Sequence, residues 1–278
     1  MISRNVLITG ATSGVGKALA VKIAARKAKL ILLCRDENKA NAARNEIIRN
    51  TGNEDIHIIL GDLSSMKSVR TAAENVLKSF PGLYLLINNA ATSVQKRELS
   101  ADGYELTFAT NYLGPFLLTN LLLDLIKNSA PSRIINVASE AHEKIDFDNM
   151  MSEKNHNGFR AYKYSKMANI MFTYELARRL ENTGVTVNAV HPGVVRTSIY
   201  RHIKGIGKIM IGMMWPFFIS PGKSAERIMP VACADEFKYV SGKYFVKGKE
   251  TPSKDGSYNI VDQRKLWDIS EKLTGFKS

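Results

Sequence analysis

Cysteine is nearly absent. The 278-residue chain has two, Cys34 and Cys233, too few and too far apart in sequence for a disulfide framework or a zinc site. A reducing, cytoplasmic setting fits that usage, and no metal site is expected. Also missing is any apolar run of the roughly 18 residues that a spanning helix needs. A signal peptide is not expected either. An apolar strand begins by Val6, which leaves no room for a charged n-region and an apolar h-region. Repeats, linkers and low-complexity stretches are lacking, so residues 1–278 are expected to form a single domain. Acid is the scarcer charge: 26 Asp and Glu against 39 Lys and Arg give a net +13. Such an excess suits nucleic acid, an anionic membrane surface, an anionic cofactor, or solubility alone. The cations are scattered, not interleaved with aromatics in one block, so nucleic acid is not expected as a partner. What remains, 45% hydrophobic and 23% charged residues, is ordinary for a globular protein.

Short apolar runs alternate with helical spacing along the chain. The first run, Asn5 to Thr9, ends at Gly10. Ala11-Thr12-Ser13-Gly14-Val15-Gly16 follows, then a helical pattern through Ala18, Leu19, Val21, Ile23 and Ala24. Strand, glycine-rich turn and helix in this order suit an anion. The glycines let the chain turn sharply and let a pyrophosphate approach free N–H groups at the helix start. The spacing is G-x-x-x-G-x-G, not G-x-G-x-x-G, and a tight turn in any α/β protein is the plain alternative. Lys29 to Cys34 is a second run without polar alternation, as in a parallel sheet covered on both faces. Arg35 and Asp36 come next. An acid at this strand end would accept from the ribose 2′-OH of NAD, whereas an Arg suits the 2′-phosphate of NADP. Arg35 comes first and favours NADP(H); Asp36 keeps NAD open.

Ile56 to Leu60 and Leu83 to Ile87 read as strands three and four. Asp62, just past the third, either meets an adenine amine or caps the helix beginning near Ser65. Asn88-Asn89-Ala90-Ala91 ends the fourth. Two amides and two small side chains there suit a cofactor sugar pressed on backbone, or else an Asx turn. Ala101 to Asn128 reads as helical, and Gly114-Pro115 should kink or break it. That break would free the Asn111 carbonyl to hold a water. Ser132 to Ala138 is strand five, with Ser139 at its end. Ser139 lacks the glycines of a nucleophile elbow, and His142 reads as a loop residue, not a base. Val185 to His191 is strand six and ends in Pro192-Gly193. Ser220-Pro221 should open a helix, with Ser as N-cap and Pro at the first position; Pro230 should disturb its later part. Tyr244 to Val246 is the last strand, and Asn259 to Leu273 a closing helix.

The chemistry gathers at Tyr162-Lys163-Tyr164-Ser165-Lys166, which opens a long amphipathic run to Leu180. Positions four apart share a helix face, so Tyr162 and Lys166 stand side by side. A free phenol, with a pKa of about 10, is a poor acid or base at neutral pH. A neighbouring ammonium favours the phenolate and lowers that pKa, so the pair can move a proton at a carbonyl or alcohol oxygen. Two surface residues at helical spacing are the plain alternative.

Thr9-Gly10-x3-Gly14-x-Gly16, Asn88-Asn89-Ala90, Asn111, Ser139, Tyr162-x3-Lys166 and Pro192-Gly193 occur in that order. As a set they resemble the short-chain dehydrogenase/reductases over nearly the whole chain. Tyr104 to Thr119, Ser241 to Phe245 and the Leu266-Trp267 helix are similar to the retinol dehydrogenase and carbonyl reductase branch. The resemblance implies a single Rossmann-type α/β domain, with a seven-stranded parallel sheet of order 3-2-1-4-5-6-7 and helices on both faces. It implies an NADP(H)-dependent oxidoreductase acting on a carbonyl or alcohol. Tyr162 would be the acid/base, Lys166 its tuner and a ribose ligand, Ser139 the substrate-oxygen donor and Asn111 the holder of a relay water. Cofactor contacts would come from Gly10, Thr12, Ser13, Gly14, Val15, Gly16, Arg35, Asp62, Leu63, Asn89, Ala90, Tyr162, Lys166, Pro192, Gly193, Val195 and Thr197. Ala91 departs from the usual Gly, and its methyl would crowd the cofactor slightly. The loop from Ser139 to Tyr162 is longer than typical, which leaves both monomer and homodimer open. A cofactor-binding regulatory protein without turnover, and a dehydratase or epimerase on the same fold, are the rival readings.

Residues 199–219 stand apart. Arg201, Lys204 and Lys208 precede an apolar run, Ile209 to Ile219, with Trp215, Phe217 and Phe218. A buried core helix and an apolar lid over a lipophilic substrate both fit, and the lid is preferred. Basic flanks around an apolar face also suit peripheral contact with an anionic membrane surface.

Overall fold

Val6, Leu7 and Ile8 are fully buried, yet they belong to two different cores. They lie on the first strand, β1 (Asn5–Thr9), and successive side chains leave a strand on opposite faces. Strand β2 (Lys29–Cys34) divides the same way, Ile31 and Leu33 to one side, Leu30 and Leu32 to the other. Both faces of the sheet are therefore covered, which is why these runs carry no polar alternation. The computed structural model describes residues 2–195 and 218–277.

Along the chain, α1 (Gly14–Ala24) joins β1 to β2, α2 (Glu37–Thr51) leads to β3 (Ile56–Leu60), and α3 (Met66–Ser79) leads to β4 (Leu85–Asn88). Next come α4 (Leu106–Phe108), a π-helical turn (Ala109–Leu113), α5 (Gly114–Leu121), α6 (Leu123–Lys127) and β5 (Ser132–Val137). Then follow α7 (Gly158–Arg179), β6 (Val185–His191), α8 (Pro221–Cys233), β7 (Lys243–Val246), β8 (Lys249–Glu250) and α9 (Ile260–Thr274). One core joins the sheet to α3, α5, α7 and α9; the other joins it to α1, α2 and α8.

The sheet order is β3-β2-β1-β4-β5-β6-β7-β8. The first seven strands pair in parallel, in the expected order. The count of seven needs correction: β8 adds an eighth, antiparallel strand at the edge. Its two residues follow a Lys247-Gly248 turn with φ of +55° and +80°, the positive-φ geometry of a tight two-residue hairpin. A strand of Lys and Glu alone carries no apolar signal. The order in which strands are added reverses between β1 and β4, on either side of which helices cross to opposite faces. In such sheets the crevice at the strands' carboxyl ends is where ligands bind.

Two helices differ from expectation. The helix around Tyr162 begins at Gly158, because the Asn157 side chain accepts from the Arg160 N–H and caps it. Pro230 sits inside α8 without ending it. The N–H it lacks would have paired with the carbonyl of Glu226, an exposed residue where water can take its place.

Candidate active site

The turn after β1 is built for close approach. Gly10 and Gly14 have φ of +67° and +55°, a region open to glycine at no steric cost. A Cβ on Gly10 would lie 2.8 Å from the Ala90 Cα, and one on Gly16 2.3 Å from the Gly10 carbonyl and 2.5 Å from Asn89 Nδ2. Asn89 braces this turn: its Nδ2 donates to the carbonyls of Thr9 (2.9 Å) and Gly10 (3.4 Å). Thr9 Oγ1 accepts from the N–H groups of Asn89 and Ala90 at 2.9 and 3.0 Å. The Asn89 amide nitrogen thus ties strand end to turn. Ser13 caps α1 without a side-chain bond, and the first helical turn, which includes Val15, carries no acid. The N–H groups there, beside Thr12 and Ser13, keep their dipole for an anion. Such a cradle fits the pyrophosphate of a dinucleotide.

At the end of β2, Arg35 is 75% exposed, and its Nη1 lies 3.7 Å from Asp62 Oδ2. Asp36 is engaged elsewhere: it caps α2, accepting from the Lys39 N–H at 2.9 Å. That N–H and the Lys39 ammonium hold its carboxyl below the usual range. Asp62 Oδ1 accepts from both the N–H and the hydroxyl of Ser64. It does not cap α3; Ser65 does, accepting from the Ser68 N–H. Leu63 is pressed by α5, since a Cβ on Gly114 would stand 2.2 Å from the Leu63 carbonyl.

Tyr162 and Lys166 share a face of α7, with Lys166 Nζ 5.6 Å from the centre of the Tyr162 ring. Lys166 is 3% exposed and donates to the Val137 carbonyl at 2.9 Å. Burial lowers its pKa to about 8, because a low-dielectric site disfavours the ammonium. Ser139, two residues past Val137, is 9% exposed, and its Oγ accepts from the Ala141 N–H at 3.1 Å.

Asn111 lies in the π-helical turn. Pro115 has no N–H to give the Asn111 carbonyl, so the ordinary α-helical bond to that carbonyl is missing. Asn169 Nδ2 on α7 donates to it at 3.1 Å, which uses one of its two lone pairs. The Asn111 amide is committed: Oδ1 accepts from the Thr92 N–H, and Nδ2 donates to the Thr92 carbonyl and to Ser165 Oγ. Any water would have to meet the main-chain oxygen, not the side chain.

At the end of β6, Gly193 has a φ of +99°, and a Cβ there would meet Arg227 Nη1 at 2.3 Å. Arg227 Nη1 also donates to the Pro192 carbonyl at 3.5 Å. Val195 bridges to Ile219 in parallel fashion, so residues on either side of the intervening segment meet again. Thr197 and residues 199–217 of the lid segment lie outside the described residues. Phe218, at its end, is 5% exposed.

Two imidazoles complete the surroundings of Ser139, and sequence reasoning gave neither a role. His191 Nε2 lies 3.1 Å from Glu140 Oε2, and burial lowers its pKa to about 4. His142 meets the Ser139 carbonyl through Nδ1 at 2.7 Å and the Lys254 N–H through Nε2 at 3.1 Å. Lys254 is 112 positions away in sequence, so no local spacing could have shown the link. Among the described residues, no group of three or more His, Cys, Asp or Glu could hold a metal ion.

Residues 4–205 match the family model described as short chain dehydrogenase. Retinol dehydrogenase 14 of Mus musculus is 41% identical over 290 residues, covering 99% of this chain and 87% of that protein. Retinol dehydrogenase 12 of Bos taurus is 39% identical over 283 residues, covering 100% of this chain and 88% of that one. Among solved structures, an uncharacterized protein from Mycobacterium Paratuberculosis superposes with a TM-score of 0.79 at 29% identity, over 99% of this chain and 94% of that one. L-Sorbose reductase from Gluconobacter frateurii gives a TM-score of 0.71 at 21% identity, over 88% and 95%.

Proposed function

The chain belongs to the short-chain dehydrogenase family, and on that premise we propose that it is an NADP(H)-dependent oxidoreductase. It would interconvert a lipophilic aldehyde or ketone and the corresponding alcohol. The observation that carries this reading is the bond from Lys166 to the Val137 carbonyl. It sets Lys166, and with it Tyr162, beside the strand end that bears Ser139.

Bound NADPH would supply the hydride, and the fold supplies its seat. Gly10, Thr12, Ser13, Gly14, Val15 and Gly16 would hold the pyrophosphate at the start of α1. Arg35 would meet the 2′-phosphate; its exposure, and the use of Asp36 as a helix cap, favour NADP over NAD. Asp62 and Leu63 would flank the adenine, and Asn89 and Ala90 the adjacent sugar. Tyr162 and Lys166 would bind the nicotinamide ribose, with Pro192, Gly193, Val195 and Thr197 at the nicotinamide end.

In reduction, Tyr162 gives its phenolic proton to the substrate oxygen as negative charge develops there. Lys166, as ammonium, favours the phenolate that results. Because Ser139 Oγ accepts from the Ala141 N–H, its own hydrogen remains to donate to the substrate oxygen. Fixed donors aimed at developing charge are commonly the largest electrostatic contribution to such a rate. A water on the Asn111 carbonyl would return the proton to the site.

The lipophilic substrate class rests on the apolar run before Phe218 and on the relatives named as retinol dehydrogenases. Residues 199–219 are read as a lid, and the whole chain as one catalytic unit. No described helix is long and apolar enough to cross a membrane; peripheral contact through the basic-flanked lid is part of the proposal. A panel of aldehydes and ketones, retinal included, followed by NADPH absorbance, tests it. Consumption of NADPH with formation of the alcohol is expected. Failure across the panel and with the matching alcohols and NADP overturns it, and product analysis exposes a dehydratase or epimerase.

A further inference from the structure

Strand β5 ends at Val137, and the Ala138 N–H to the Val190 carbonyl, at 2.9 Å, is the last sheet bond before Ser139. Past that point the position of the Ser139 hydroxyl depends on what holds its backbone. His142 Nδ1 meets the Ser139 carbonyl at 2.7 Å. The ring is itself held. It is 3% exposed, lies edge-on to Tyr244 with centroids 5.7 Å apart, and accepts from the Lys254 N–H through Nε2. A carbonyl needs a donor and an amide N–H needs an acceptor, so the two bonds select one state: neutral, with the proton on Nδ1. The anchor behind Lys254 leads back to α7. Ser253 Oγ and Tyr174 OH are 2.7 Å apart, and Tyr258 OH accepts from the Ser253 N–H at 2.9 Å. The helix that presents Tyr162 and Lys166 is thereby linked through Tyr174, Ser253, Lys254 and His142 to Ser139.

We propose that His142 is a positioning residue that fixes the Ser139 hydroxyl through its Nδ1 bond to the Ser139 carbonyl. The inference rests on the proposed role of Ser139 as the donor to the substrate oxygen. The two sides of the ring can be separated. In His142→Asn the amide reaches the place of Nδ1 and keeps a donor for Ser139. In His142→Gln the amide reaches the place of Nε2 and keeps only an acceptor for Lys254. Displacement of a reacting group by about 1 Å can cost 10²-fold in rate. His142→Asn should therefore stay within about threefold of the wild-type kcat. His142→Gln should lose about tenfold or more in kcat, with KM for the aldehyde and Kd for NADPH unchanged. A merely structural role predicts equal losses that follow Tm; equal kcat in the two variants, or a lower kcat in His142→Asn, overturns the proposal. Ser139→Ala is measured alongside. If it keeps wild-type turnover, the proposed role of Ser139 has failed and this inference falls with it. If it loses turnover while His142→Gln does not, only the inference falls. Nitrogen NMR of the unmutated imidazole needs no variant to fold: an Nδ1–H tautomer is expected, and an Nε2–H tautomer overturns the proposal.

Discussion

Lys166 Nζ donates to the carbonyl of Val137 at 2.9 Å, so a buried amine is tied to the last residue of the strand that leads to Ser139. Burial lowers its pKa from 10.5 to about 8. Between those values the unfolded chain binds a proton that the folded protein does not, so stability should rise with pH across that window. Other groups titrate there too, so the comparison is with Lys166→Met. The stability of wild type minus that of Lys166→Met, from urea unfolding, should climb between pH 8 and 10.5. A flat difference would mean that the amine keeps its ordinary affinity for protons.

Tyr162→Phe removes the proton and keeps the ring. Turnover should fall by about 10²–10⁴-fold, the usual contribution of general acid–base steps, while NADPH binding stays near wild type. Tyr164, 7% exposed in the core, is the counter-test. Should Tyr164→Phe abolish turnover and Tyr162→Phe leave it intact, the acid has been assigned to the wrong tyrosine.

Much of this was legible because unbroken apolar runs write a plain signal, most plainly where both faces are buried, as in β1, β2 and β6. β1, β2, β3 and β6 run from Asn5, Lys29, Ile56 and Val185 to the very residues where their apolar runs stop. The glycine turn was legible because a cradle closed by Ala90 and Asn89 admits no side chain. What stayed hidden depends on partners distant in sequence or on features too small to register. The helix expected from Ala101 to Asn128 is split by a π-helical turn, where the ladder shifts ahead of Pro115. Asn89 was placed beside the cofactor sugar, but its second duty, bracing the turn through Thr9 and Gly10, gave no local signal. His142 looked like a loop residue because its acceptor role is visible only once Lys254 has been folded against it.

The fit of the glycine cradle can be tested with one methyl group. In Gly16→Ala the new Cβ would lie 2.3 Å from the Gly10 carbonyl and 2.5 Å from Asn89 Nδ2, so turn and strand must part. Overpacking of this kind costs about 1–3 kcal/mol. Displacing the turn should also weaken NADPH binding by about tenfold or more. Gly222→Ala is the control, since its Cβ would meet only Ser220 Oγ, at 3.8 Å. Calorimetry of NADPH binding to both variants decides; an unchanged Kd for Gly16→Ala would remove the pyrophosphate from this turn.

The choice between NADP and NAD turns on two neighbours with different duties. Arg35 is exposed, with its guanidinium 3.7 Å from the Asp62 carboxylate, a separation at which an exposed pair is worth little. It is available to a 2′-phosphate. Asp36 would have to leave the α2 N-terminus to accept from a ribose hydroxyl, giving up the Lys39 N–H and the cap it provides. A charge-assisted hydrogen bond is worth about 1.5–3 kcal/mol. Arg35→Ala should therefore weaken NADPH binding by about tenfold or more and leave NADH binding nearly unchanged. Asp36→Ala should lower Tm by a few degrees without improving NADH binding. Equal weakening of both cofactors in Arg35→Ala would mean that Arg35 stacks on the adenine, which NADH and NADPH share, and does not read the phosphate.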